Sequence, residues 1–133
     1  MKIVKPGKVV ILLQGRHAGK KAVIVQSSDA ATKTRKYPHA VIVGVAKYPR
    51  RVNKRMGKKT IAQRSRVKPF VRVVNQSHFM PTRYNMEISA ELKGKINLGD
   101  EAQRAESKKT VRKVLEDRYK SGRNTWFFQA LRF

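Results

Sequence analysis

Acidic side chains are almost absent from the first two thirds of this 133-residue chain. Residues 1–86 hold 21 lysines and arginines but one acid, Asp29, whereas residues 87–133 hold 11 basic and seven acidic residues. A folded surface with so few counter-charges repels itself, so such a chain is expected to lie against a polyanion. Nucleic acid is the commonest one, because each lysine or arginine on its phosphates releases a condensed counterion. We therefore expect a nucleic-acid partner.

Short β-branched runs bounded by glycine and proline predict a small β-structure. Five strands are expected, at 8–13, 22–26, 40–46, 70–74 and near 83–88. The segment Phe79–Tyr84, just before the fifth, is expected to form a packed turn. Because several short strands separated by glycine and proline are typical of all-β folds, the pattern favours a small barrel or sandwich.

The most basic segment, called the basic tract below, spans residues 47–68. It holds ten lysines and arginines in 22 residues and no acid. Its few apolar residues predict a short helix or two at most. A solvated charge run is the usual explanation of such a segment, and a nuclear-localisation signal is compatible with it. The unbalanced charge favours RNA or DNA contact, and the aromatic residues at its ends, Tyr48 and Phe70, are candidates to stack on exposed bases.

A helix of about 20 residues is predicted near the C-terminus. Asp100 is a suitable N-cap, Gly122 occupies a C′-like position, and Val111 and Leu115 follow helical spacing. We expect two ion pairs at i,i+4 spacing, Lys113–Asp117 and Glu116–Lys120. The helix is expected to present four cations to RNA or to a neighbouring protein, namely Arg104, Lys108, Lys109 and Arg112.

The chain ends in an aromatic tail, residues 126–133, that begins Trp126-Phe127-Phe128. Three consecutive aromatic residues are more often a plug that anchors a tail to the protein's own core. Contact with RNA or with a partner protein is the alternative.

The sequence argues against several kinds of chemistry. Without cysteine there are no disulfides, cysteine zinc sites or thiol reactions. The three histidines lie far apart, and acids are too few for a catalytic pair. The glycine loop at 15–21 lacks the spacing of a nucleotide-binding loop. We expect a non-enzymatic protein with no metal, cofactor or small-molecule substrate.

No segment resembles a signal or a membrane span. The apolar run at 9–13 is shorter than the core of a signal peptide, and nothing approaches the roughly 20 apolar residues of a spanning helix. A secreted cationic membrane-active protein would also need an amphipathic basic helix with a larger apolar face. We expect a soluble protein that is not secreted.

The predicted RNA contacts lie in the loop between the first two strands, in the basic tract and at one later arginine. Gly15 and Gly19 are expected to shape the loop. The predicted contact residues are Arg16, His17, Lys20, Lys21, Lys47, Arg50, Arg51, Lys54, Arg55, Lys58, Lys59, Arg64, Arg66, Lys68 and Arg83.

The first segment, about 5–27, resembles a KOW motif. Lys8–Leu13 matches its first strand, Gly15 its glycine turn, and Gly19-Lys20-Lys21 leads into the strand Ala22–Val25. KOW modules occur in ribosomal proteins and in transcription elongation factors, so the motif alone leaves both open.

Further segments resemble the eukaryotic large-subunit ribosomal protein family L27e, over almost the whole chain. They are Tyr48-Pro49-Arg50-Arg51-Val52, Met56-Gly57-Lys58-Lys59, His78-Phe79-Met80-Pro81-Thr82-Arg83-Tyr84 and Trp126-Phe127-Phe128-Gln129-Ala130-Leu131-Arg132-Phe133. Residues 88–110 are the least similar part. The resemblance implies an SH3-like barrel, a helical C-terminal extension and a structural role in the large subunit, bound to ribosomal RNA and beside other ribosomal proteins.

We therefore expect a mainly β fold with α, in two parts. Residues 1–90 would form the SH3-like barrel, with the basic tract as an RNA-binding insertion, and residues 91–133 the helix and aromatic tail. The expected location is the cytosolic ribosome, with assembly in the nucleus or nucleolus. A KOW-type nucleic-acid-binding module in transcription or chromatin is the alternative.

Overall fold

Five antiparallel strands form one sheet in the computed structural model, which describes residues 3–92 and 94–132. The strands are β1 (Lys8–Leu12), β2 (Lys21–Ser28), β3 (His39–Lys47), β4 (Lys68–Asn75) and β5 (Phe79–Asn85). Their spatial order is β4-β3-β2-β1-β5. The first four lie where the β-branched runs predicted them, because those runs can bury one face or both in a sheet.

Three helices accompany the sheet, α1 (Lys58–Arg64), α2 (Ser89–Leu92) and α3 (Glu101–Lys120). Short 3₁₀ turns follow β4 at Gln76–His78 and begin the tail at Thr125–Phe128. The predicted C-terminal helix is confirmed: α3 has 20 residues, Asp100 at its N-cap and Gly122 at a positive φ of 76° beyond its end. The short helix expected in the basic tract is α1. No described helix is both long enough and apolar enough to cross a membrane.

One face of the sheet packs against the C-terminal part of the chain. Alternate strand residues point to opposite faces, and Val9, Val23 and Val43 join a buried cluster with Val111 and Leu115 of α3. Burying such side chains stabilises the fold by about 1.5–3 kcal/mol each. Both predicted parts of the chain contribute to this cluster; the division between them stays a prediction.

The other face of the sheet encloses a second cluster. Val10, Ala22 and Ile42 share it with Phe70 of β4 and Phe79 of β5. Because β4 and β5 are the two ends of the strand order, the sheet must curl for both to reach one cluster. Among the described residues, no pairing between β4 and β5 closes the sheet. The mainly β fold with α is confirmed, the sheet as described is open, and the SH3-like barrel stays a prediction.

The segment predicted to be a packed turn, Phe79–Tyr84, is strand β5. It pairs with β1 through Leu12↔Phe79 and Val10↔Pro81. Proline is tolerated at a sheet edge, because the missing N–H can face away from the ladder. The fifth strand therefore ends at Asn85 and does not extend through the predicted 83–88.

The ion pairs of α3 differ from those predicted. Arg112 Nε lies 3.1 Å from Glu116 Oε1, and Arg118 Nη2 lies 2.8 Å from Glu91 Oε1. Glu116 also accepts from the N–H of Val67 at 3.4 Å, just before β4. The predicted pairs Lys113–Asp117 and Glu116–Lys120 are not among the contacts of the described residues.

Candidate nucleic-acid interface

The loop between β1 and β2 is a tight turn that carries basic side chains. Gly15 and Gly19 have φ of 93° and 79°, in the left-handed region that only glycine enters freely. The N–H of Gly19 donates to the end of β1 at 2.6 Å, which closes the loop. Arg16 is exposed at its tip, and the half-buried Lys20 donates from Nζ to Ala46 O at 2.5 Å.

His17 lies inside this loop and not on its surface, with 6% of its area exposed. Its ring stacks on Phe70 with centroids 4.1 Å apart and planes 3° from parallel. Burial, and after it the positive charges of Arg72, Lys20, Arg16 and Lys108, together lower its pKa from 6.5 to about 4. A buried neutral ring adds no charge to a phosphate-binding surface, so we leave His17 out of the proposed contacts.

Lys21 is also buried, with 1% of its area exposed. Its Nζ donates to Trp126 O at 2.6 Å and to Gln129 O at 2.5 Å, and lies 4.1 Å from the centroid of the Trp126 ring. Burial lowers the pKa of this ammonium. Because its donors are directed at the chain's own tail, we leave Lys21 out of the proposed contacts as well.

The aromatic tail packs on the protein, which confirms the predicted plug. Phe127 and Phe128 are 1% and 4% exposed and belong to the cluster between the sheet and α3. Phe128 also meets Tyr119 edge to face, with ring centroids 5.4 Å apart. Phe133, the last residue of the predicted tail, lies outside the described residues.

The basic tract lies on the surface, and α1 within it buries no side chain. Its two ends are joined, because Arg50 N donates to Arg64 O at 2.8 Å and Arg64 Nη1 donates to Arg51 O at 3.1 Å. Arg64 is half-buried by these contacts. The exposed cations of the tract are Lys47, Arg50, Arg51, Lys54, Arg55, Lys58, Lys59, Arg66 and Lys68. Within residues 3–92 and 94–132, none of these nine forms an ion pair with an acid.

The two aromatic residues at the ends of the tract have structural roles. Phe70 is 3% exposed and packs under His17, so the prediction that it stacks on bases is wrong. Tyr48 is half-buried, and its hydroxyl accepts from the N–H of Lys21 at 3.1 Å. Neither ring offers an open face like those of single-strand binding surfaces.

Arg83 is exposed on β5, at the opposite end of the strand order from β4. Its guanidinium lies 5.3 Å above the Tyr84 ring, and that ring contacts Trp126 at a centroid distance of 4.4 Å. The side chain is held over a small aromatic group and remains open to solvent, so it can still meet a phosphate.

A cleft of about 700 Å³ opens between β4 and the first half of α3. Its basic lining comes from four places in the chain and comprises Arg16, Arg35, Arg72, Arg104 and Lys108. Arg35 and Arg72 were not among the predicted contacts. The sequence could have indicated Arg72, because it interrupts an otherwise apolar strand. Of the helix cations expected to face outward, Arg104 and Lys108 line the cleft, whereas Lys109 and Arg112 do not.

Two of the described acids form ion pairs within the protein. Glu91 and Glu116 each hold an arginine. No three histidine or acidic side chains in the described part of the chain lie close enough to hold a metal ion. The surface thus offers positive charge and hydrogen-bond donors, the groups that recognise phosphate.

Known proteins match this chain over nearly its full length. The model of the ribosomal L27e protein family matches residues 9–133. Large ribosomal subunit protein eL27A of Schizosaccharomyces pombe is 51% identical over 136 aligned residues, covering 100% of this chain and 99% of that protein. Its eL27B is 48% identical with the same coverage. Large ribosomal subunit protein eL27 of Caenorhabditis elegans is 47% identical, covering 99% of this chain and 98% of that protein.

Proposed function

The chain belongs to the ribosomal L27e protein family, and we propose that it is a structural, non-enzymatic constituent of the large ribosomal subunit that binds ribosomal RNA. The observation that carries the proposal is the match of relatives named as large-subunit proteins over the full chain. A KOW-type module in transcription or chromatin is not favoured, because the relatives that align with nearly the whole chain are named as ribosomal proteins.

The physical role is electrostatic. RNA segments repel one another, and nine exposed cations without acidic partners on the basic tract supply the opposite charge where such segments converge. Since α1 has no buried side chain, the exposed cations of the tract stay open to an RNA surface. The curled sheet provides the rigid body that holds it. Contacts of this kind read the backbone and shape of folded RNA more than its sequence.

Neighbouring ribosomal proteins are the second class of partner. The outer side of α3 presents Lys109, Arg112 and Lys113 to solvent, where they can meet RNA or an acidic protein surface. The working location is the cytoplasmic ribosome, with assembly in the nucleus or nucleolus.

Sedimentation of cell extract through gradients at rising salt tests the role in the ribosome. Near-stoichiometric recovery of the protein in the large subunit after a wash at several hundred millimolar salt is expected, because nonspecific counterion-driven binding weakens steeply there. Recovery in light fractions or with DNA would refute the proposal.

A set of four substitutions, called the tract variant below, tests the RNA-facing surface. It replaces Arg50, Arg51, Lys54 and Arg55 by glutamine. Binding to deproteinised large-subunit RNA should lose roughly 0.7–0.9 in the slope of log affinity against log salt for each phosphate contact removed. The matched control removes four exposed cations elsewhere, Lys5, Lys33, Lys36 and Lys95. A tract variant with an unchanged slope would show that those side chains do not touch phosphate.

A further inference from the structure

The cleft between β4 and α3 gathers cations that are distant in sequence. Arg16 comes from the β1–β2 loop, Arg72 from the middle of β4, and Arg104 and Lys108 from successive turns of α3. A solvated charge run does not explain such convergence, because no two of these elements are adjacent in the chain. The volume of about 700 Å³ lies within the range of ligand-binding pockets, about 300–1,000 Å³.

Two arginines of the cleft are held in place by single hydrogen bonds. Arg104 Nε donates to Leu98 O at 3.1 Å, and Arg35 Nη1 donates to Tyr37 OH at 3.2 Å. A guanidinium has five donors, so each keeps several for a bound group. Fixing a side chain before binding lowers the entropy lost on binding.

The positive charge of the cleft is poorly compensated. Arg16, Arg72 and Lys108 form no ion pair within the described residues, and Glu101 is the acid of the lining. His17 lies at the same cleft with both ring nitrogens buried and without a partner among the described residues. Its lowered pKa has the charges of Arg72, Arg16 and Lys108 among its causes. A cleft with this charge and these open donors is suited to an anion with several phosphate groups.

We propose that this cleft seats the sugar–phosphate backbone of one RNA strand, with Arg16, Arg72 and Lys108 on its phosphates. The inference rests on the proposed function and adds a second RNA contact, separate from the basic tract. Arginines can bind phosphate oxygens in pairs of parallel hydrogen bonds, and the arrangement favours backbone contact because the rings beside it, His17 and Phe70, are buried.

The test compares two double variants in the full-length chain. Arg72→Gln with Lys108→Gln removes two cleft cations, whereas Lys33→Gln with Lys36→Gln removes two exposed cations that do not line the cleft. Binding to deproteinised large-subunit RNA is measured from 0.1 to 0.5 M salt. The cleft variant should lower the salt slope by roughly 1.4–1.8 and the affinity at 0.1 M salt by about 25- to 60-fold. The control should change both far less.

A single substitution provides an independent arm. Glu101→Gln removes the acid of the cleft and should raise the affinity, by up to about fivefold for one charge. Equal losses in the cleft and control variants, or no gain from Glu101→Gln, would overturn the inference. If the tract variant lowers the slope while the cleft variant does not, this inference fails and the proposed function stands; if wild-type protein does not bind the RNA, both fail.

Discussion

Replacing Lys21 by methionine should detach the tail from the sheet. Lys21 Nζ donates to the carbonyls of Trp126 and Gln129 and lies over the Trp126 ring. Hydrogen bonds from a charged donor contribute about 1.5–3 kcal/mol each, and a cation–π contact about 0.5–2 kcal/mol. Two effects oppose this loss: Trp126 O keeps the N–H of Gln129 at 3.2 Å, and the desolvation cost of the ammonium disappears. We expect the free energy of unfolding to fall by about 2 kcal/mol.

The chain has one tryptophan, so fluorescence of Trp126 reports on the tail itself. Urea unfolding should be followed by this fluorescence and by far-ultraviolet circular dichroism, and the midpoint should fall by about 1 M at a typical m-value. Lys36→Met is the matched control, because it removes the same charge from an exposed position. If Lys21→Met is as stable as Lys36→Met and its native fluorescence is unchanged, the lysine does not hold the tail.

Two further perturbations test buried features of the loop and sheet. His17 has a pKa near 4 when folded and 6.5 when unfolded, so between these pH values the unfolded chain binds more protons than the folded chain. The free energy of unfolding should therefore decrease as the pH is lowered, by about 2–3 kcal/mol from pH 7 to pH 4.5. Urea unfolding at the two pH values should show this loss, and an equal loss in His17→Phe would contradict the assignment. Gly44→Ala would place a Cβ 2.5 Å from Phe70 Cζ and 2.7 Å from Lys21 O, which should destabilise the fold by about 1–3 kcal/mol; a melting temperature equal to that of wild type would refute the close packing.

Strands β1 to β4 could be predicted because their β-branched runs are local signals. The fifth strand was also predicted, but near 83–88, because Pro81 and the polar residues around it are typical of a turn and hid the true start of β5 at Phe79. Its strand conformation depends on pairing with β1, about 70 residues away, as in Val10↔Pro81. Pairing between distant segments outweighs local preference in sheets.

The candidate interface was predicted in part, for a similar reason. Charge density alone located the basic tract, whose exposure follows from its lack of apolar residues. Charge density could not distinguish Lys20 from Lys21, because both are lysines and they are neighbours in the chain. Lys20 is half-buried, whereas Lys21, the first residue of β2, is fully buried. Lys21 became internal only through carbonyls 105 and 108 residues away. The cleft cations likewise converge through the packing of α3 on β4.

The bond between Lys21 and the tail also sets an order for folding during synthesis. The hairpin of β1 and β2 leaves the ribosome long before the residues that complete it, which follow 105 and 108 positions later. At about 5–20 residues per second, that interval is about 5–20 s. Throughout it Lys21 stays hydrated and the sheet face that receives Phe127 and Phe128 stays uncovered. A nascent chain of this protein therefore carries an unfinished, strongly cationic sheet until the segment with Trp126 and Gln129 is made.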